Sequence, residues 1–126
     1  MGYTISDLEY AMTCQAMVSD LGELIMNMGD AIKKQDYDGL YQSIGEYIVE
    51  VKKLDEKFTA MKPSAVMRFH QKSFRELMDA HKRLSWLLYK TPTMNLPRHT
   101  KALNLAIDDI AKASEKVTVA TKSPAM

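Results

Sequence analysis

Few side chains in this sequence could do chemistry, and most of them gather in one stretch, FRELMDAHKRLSWLLYK, Phe74 to Lys90. Arg75 and His81 stand six positions apart there, among further basic residues and beside the only Trp of the chain, Trp86. The other histidines are His70 and His99, and the one cysteine is Cys14. Cys14 and His70 fall at a similar level along neighbouring helices, so a Cys–His nucleophile is one arrangement to weigh. Cys14 lies on a tight apolar seam with no cation or helix N-terminus near it, which describes a buried structural thiol instead. His70 and His81 lie on one helical face but about 16 Å apart along the axis, too far to share a metal. There is no Glu-x-x-His pair of the di-iron bundle type. A haem would need an axial His; Met28 and His99 come out level, but no C-x-x-C-H motif accompanies them. A haem or metal bundle is therefore a third reading, behind the two that follow, and no cofactor is expected.

The spacing Arg75-x5-His81 resembles the R-x4–6-H pattern of the HEPN ribonucleases, which are also small helical bundles. In that family the Arg and the His act on the RNA backbone without a metal, so the resemblance implies Arg75 and His81 as catalytic residues. The helix geometry opposes this. At 100° per residue His81 points inward and Arg75 about 120° away from it, and the residue after the Arg is Glu76. No phosphate-binding glycine loop, G-x-S-x-G elbow or metalloprotease motif is present. An enzyme is the minority expectation.

The elements that carry these residues are helices. The chain has 126 residues, the length of one domain, with 46% hydrophobic residues, five glycines and four prolines. One cysteine excludes an internal disulfide and suits a reducing compartment. The first residues have neither a basic n-region nor an apolar h-region, so a cytoplasmic location is expected, although a signal already removed would leave no trace. No apolar run approaches membrane-spanning length.

We read residues 1–126 as a single helical-bundle domain with four helices, at about 7–34, 37–60, 64–89 and 97–120, and a frayed tail over 121–126. Ser6 and Glu9 make a capping-box pattern at the start of the first. Its inward seam is Tyr10, Cys14, Met17, Leu21, Leu24, Met28 and Ala31. The second helix turns Leu40, Ile44, Tyr47, Val51, Leu54 and Phe58 inward. The third does so with Met67, His70, Phe74, Leu77, His81, Leu84 and Leu88, and the fourth with Leu103, Ala106, Ile107, Ile110, Ala113 and Val117. Lys90 to Leu96 reads as a loop, and Pro97 suits the first turn of the last helix. Gly22 and Gly29 cost helix propensity, and close approach of another helix is the expected return. Similar lengths and short connections predict an all-α, antiparallel up-down-up-down four-helix bundle.

On the third helix Arg68, Lys72, Arg75, Lys82, Arg83 and Lys90 fall on the outward face, with Trp86 in its middle. Trp on a polar face is unexpected, and Trp and Arg dominate interface hot spots. The plainer alternative lays Trp86 over the stems of Lys82, Arg83 and Lys90, or under the following loop. Met12 and Met26 on the first helix, and Leu105 on the fourth, also project outward, and exposed methionines make adaptable binding surfaces. Charge is divided along the chain. Residues 1–61 carry eleven carboxylates against five lysines, a net of −6, and residues 62–126 carry twelve bases against five acids, a net of +7. Either the halves neutralise each other or the basic half meets an acidic or mixed partner surface. A basic stripe with an aromatic in it suits nucleic acid, but a pI of about 7.8 argues against that. A protein partner, or a second copy of the chain, fits better, and no membrane contact is expected.

MKPSAVMRFHQKSFRELMDA and KALNLAIDDIAKA resemble segments of small helical proteins of unknown function from Gram-positive bacteria and their phages. The shared features are Pro63 before the helix, His70 one turn in, Phe74 four later and an Ala-rich last helix. The resemblance implies a helical bundle and no activity. A phage origin would make a small regulator or inhibitor of a host protein a natural role.

Overall fold

The computed structural model describes residues 5–122, apart from the side chains at 93, 94 and 97. They form four long helices: α1 Ile5–Lys33, α2 Tyr37–Ala60, α3 Arg68–Lys90 and α4 Thr100–Lys122. Two 3₁₀ segments, Ala65–Met67 and Thr93–His99, precede α3 and α4. Among the described residues there is no strand.

The helix limits follow from local chemistry. α1 stops in a Schellman arrangement, with Asp36 N–H donating to Ala31 C=O at 2.9 Å and Gln35 N–H to Ile32 C=O at 3.1 Å. Gln35 takes the left-handed conformation this motif requires, at φ 54°. Asp36 then caps α2, its carboxylate accepting from Gly39 N–H at 3.0 Å. The expected capping box at Ser6 is not the start of α1, because the helix already includes Ile5. The expected start of the last helix at residue 97 is also displaced. Thr93–His99 winds as 3₁₀ helix and the α-helix begins at Thr100. The stretch read as a loop, Lys90–Leu96, is therefore largely helical, and its Leu96 is buried. Of the expected tail, Thr121 and Lys122 belong to α4, and 123–126 lie outside the described residues.

The apolar stripes meet in one core. The inward sets expected for the second and third helices are buried throughout. Of the seam expected on α1, only Leu24 is half-buried and the rest is buried. On α4, Leu103 is half-buried and Ile107 is 42% exposed. α1 packs against α2, α2 against α3, and α3 most extensively against α4. Near the start of α1 the rings of Tyr10, Phe58, His70 and Phe74 cluster, with Phe58–Phe74 centroids 5.0 Å apart. Phe74 is fully buried; truncating such a ring to Ala typically costs about 3–5 kcal/mol. Asp7 is buried too, and its carboxylate accepts from Ser64 N–H at 2.9 Å and from Ser64 Oγ–H at 2.7 Å. That pair fastens the first turn of α1 to the α2–α3 connection.

Gly22 and Gly29 do not serve close helix approach. A Cβ at either would meet nothing within 4 Å.

Candidate functional site

α3 carries the candidate surface. Positions 79, 82, 83, 86, 89 and 90 recur at three and four residues, so they share its outward side. Trp86 is 57% exposed and Tyr89 72%. Their rings stack, centroids 6.2 Å apart and 21° between planes. Lys90 Nζ lies 5.3 Å from the centroid of the Trp86 ring, a cation–π contact. The aromatic pair is thus held in place, yet it stays largely exposed beside the Lys90 stem. Tyr89 is absent from the set expected from sequence, although its i+3 spacing from Trp86 marks it as a neighbour on the same face.

The flanking cations divide into two groups. Lys82 lies 3.4 Å from Asp55 of α2. Arg83 and Lys90 have no ion-pair partner among the described residues. Arg83 edges a charged groove between α3 and α4 that also contains Glu76, Asp109 and Lys116. Arg68 donates to Ala65 C=O at 3.3 Å, and Lys72 is exposed. Met12 and Met26 are exposed, as is Leu105, but the two methionines belong to α1 and the leucine to α4.

Arg75 has a different task. It pairs with Asp55 and with Asp79, donates to Thr59 Oγ1 at 3.2 Å, and sits over the Phe58 ring at 5.2 Å. Its Nε is buried with no acceptor among the described residues. Burial works against an ionised Asp55, but the hydrogen bond and charge of Arg75, helped by Lys82, win and hold the carboxyl below its usual range. Arg75 therefore joins α3 to α2. His81 faces the core, 4% exposed. The Tyr47 hydroxyl lies 2.7 Å from its Nδ1 and 3.3 Å from its carbonyl oxygen. Burial pushes the His81 imidazole down to about 4 and raises the Tyr47 hydroxyl. Arg75 and His81 thus have separate partners, and no contact joins them.

His70 meets Tyr10, its Nδ1 3.2 Å from the hydroxyl, and burial lowers its pKa. Cys14 is buried and its thiol is pushed up to about 12 by burial, the Tyr10 hydrogen bond only partly offsetting this. A thiol so placed is protonated at neutral pH and a poor nucleophile. His99 is exposed at the end of the 3₁₀ segment. Among the described residues no three His, Cys, Asp or Glu side chains gather as metal ligands. No helix among them is long and apolar enough to cross a membrane.

Asp55 of the acidic half pairs with Arg75 and Lys82 of the basic half, while Arg83 and Lys90 of the basic stripe form no ion pair among the described residues.

An apolar cleft of about 440 Å³ also opens where α1 ends and α4 begins, a feature with no counterpart among the sequence expectations.

No protein family, curated protein or solved structure matches the chain.

Proposed function

We propose that this protein is an antiparallel, up-down-up-down four-helix bundle that acts by binding another protein, as a small cytoplasmic regulator or inhibitor. The chain direction is supported by which residues meet. Tyr10, early in α1, touches Phe58, late in α2, and His70, early in α3. Met28, late in α1, shares a cleft with Leu40, early in α2, and Leu88, late in α3. The resemblance of the third and fourth helices to small helical proteins of Gram-positive bacteria and their phages suits such a role.

One observation carries the functional reading: a stacked Trp86–Tyr89 pair stands exposed beside Arg83 and Lys90, two cations without a carboxylate partner among the described residues. Aromatic side chains of this size bury about 150–250 Å² each when covered. They carry little rotamer entropy, and stacking has already fixed them. An acidic or mixed protein surface would gain both the aromatic contact and the charge pairing.

Capture from a nuclease-treated native lysate tests this. Immobilised wild-type protein should retain a specific protein that Trp86→Glu does not, with both showing the same helical circular dichroism because the side chain is exposed. Recovery of RNA alone, or the same retained proteins with both, would remove the claim.

A further inference from the structure

The cleft between the end of α1 and the start of α4 has the construction of a small-molecule site. α1 presents Ile25, Met28, Gly29 and Ile32 to it. α4 presents Thr100, Leu103, Asn104 and Ile107. Both sets follow the spacing i, i+3, i+4, i+7, the pattern of a helix face made to be covered. Yet α1 and α4 are not among the helix pairs that pack closely. Two apolar stripes face one space, with Leu88 of α3 and Leu96 lining it as well. Gly29 keeps one wall open, since a Cβ there would meet nothing within 4 Å. Ile107, inward by its spacing, is 42% exposed because no described side chain fills the space it faces.

Size decides the kind of occupant. The cleft holds about 440 Å³. Ligand pockets run from about 300 to 1,000 Å³, and an apolar cavity of about 150 Å³ accepts benzene. A ten-carbon chain fits this space.

Polarity decides its form. Among the described residues the walls are apolar except for Thr100 and Asn104, one helical turn apart on α4, and the Tyr37 hydroxyl. The Asn104 amide is exposed and has no hydrogen-bond partner among the described residues. Lys33 directly follows the lining residue Ile32, and Lys101 directly follows Thr100; both are exposed, and neither forms an ion pair among the described residues. On the helical wheel each lysine stands about 90–110° from the centre of its lining stripe, at the edge of the cleft, whereas Asp30 stands about 150° away and faces outward. Asp108 flanks α4 as well, nearly two turns further along from Lys101. The lysines thus stand at the end of the cleft where α1 finishes and α4 starts; of the acids beside the lining residue Tyr37 there, Asp36 is engaged in capping Gly39 N–H, and Asp38 stands about 130° from the Tyr37–Leu40 stripe.

We propose that this cleft binds a free single-chain amphiphile, its apolar body between α1 and α4 and an anionic head at Asn104, Lys33 and Lys101. The site is separate from the Trp86 face, and each can fail without the other.

Calorimetric titration with decanoate, decanol and decylammonium, all kept below micelle-forming concentrations, tests it. Decanoate should bind wild type about tenfold or more tighter than decylammonium, with decanol between. Gly29→Phe, which fills the cleft, should lose about tenfold or more of the decanoate affinity. Trp86→Glu should bind decanoate as wild type does. Lys101→Glu, an exposed change that leaves the fold intact, should reverse the preference between carboxylate and ammonium heads, and it decides the matter if Gly29→Phe does not fold. No binding of decanoate, equal binding to wild type and a folded Gly29→Phe, or a head preference unmoved by Lys101→Glu would overturn the proposal.

Discussion

Acid should unfold this protein through His81. The imidazole is 4% exposed, held against the Tyr47 hydroxyl at 2.7 Å, and burial lowers its pKa from 6.5 to about 4. The folded state therefore prefers the neutral ring. Above pH 6.5 both folded and unfolded chains are neutral at this residue, and it contributes no pH dependence. As pH falls below that value the unfolded chain takes up a proton that the folded chain refuses, so stability drops. The loss runs until the folded ring also protonates, near 4, and then stops. Each tenfold difference in proton affinity between the two states is worth about 1.4 kcal/mol, which makes the full loss about 3 kcal/mol and the loss at pH 5 about 2 kcal/mol. For a domain whose whole stability is about 5–15 kcal/mol, that is a large fraction. His70 is lowered by burial too and adds to the fall in the same direction. Urea denaturation of wild type and His81→Gln at about pH 7.5 and about pH 5 isolates the His81 share. Gln keeps a hydrogen-bonding group near Tyr47 but does not titrate. Wild type should lose about 2 kcal/mol more than the variant across that interval. Parallel losses in the two proteins would show that His81 is not buried in its neutral form.

Three further outcomes are expected. Asp7→Ala removes the carboxylate that holds Ser64 at 2.9 and 2.7 Å, and should cost about 3 kcal/mol in urea melts, since hydrogen bonds to charged groups are worth about 1.5–3 kcal/mol each; no change would mean the strap is slack. Gln35→Gly should raise stability by about 0.5–1 kcal/mol, because Gln35 sits at φ 54° in the left-handed region where side chains are strained; a loss in thermal melts would show that the Gln side chain matters in itself. RNA incubated with the protein and a chelator should stay intact, as His81 and Arg75 have separate partners; cleavage abolished by His81→Ala would reinstate the ribonuclease reading.

Helical period is the part of this fold that the sequence makes legible. The stripes of α2 and α3 are buried as expected, because apolar residues at three- and four-residue spacing mark the covered face of a helix. Period does not report what the covering element is. Ile107 keeps the spacing of a core residue, but it faces the cleft, so it is 42% exposed. Leu96 is buried from within a 3₁₀ segment, where no 3.6-residue pattern exists to betray it. Asp7 has the sequence position of an ordinary first-turn acid, and its partner Ser64 lies 57 residues away, beyond any local rule. Gly29 suggests tight helix packing, and the opposite holds: it borders open space. On the candidate surface, Trp86 stands out by type and position, while the Tyr89 beside it is inconspicuous because it falls at the helix end. Arg75 belongs with the outward cations by its angle on the wheel. Its length lets it turn back to Asp55 and Asp79, which no wheel shows.

The sharpest check on the binding claim is the affinity of a captured partner, purified, for wild type and for single alanine variants. Trp86→Ala and Tyr89→Ala should each weaken binding by about 2 kcal/mol or more, roughly thirtyfold, as central aromatic anchors do. Met12→Ala, on α1, should change it little, and the complex should weaken with added salt if Arg83 and Lys90 meet carboxylates. Equal affinities for wild type, Trp86→Ala and Tyr89→Ala would defeat the claim, whatever the partner is.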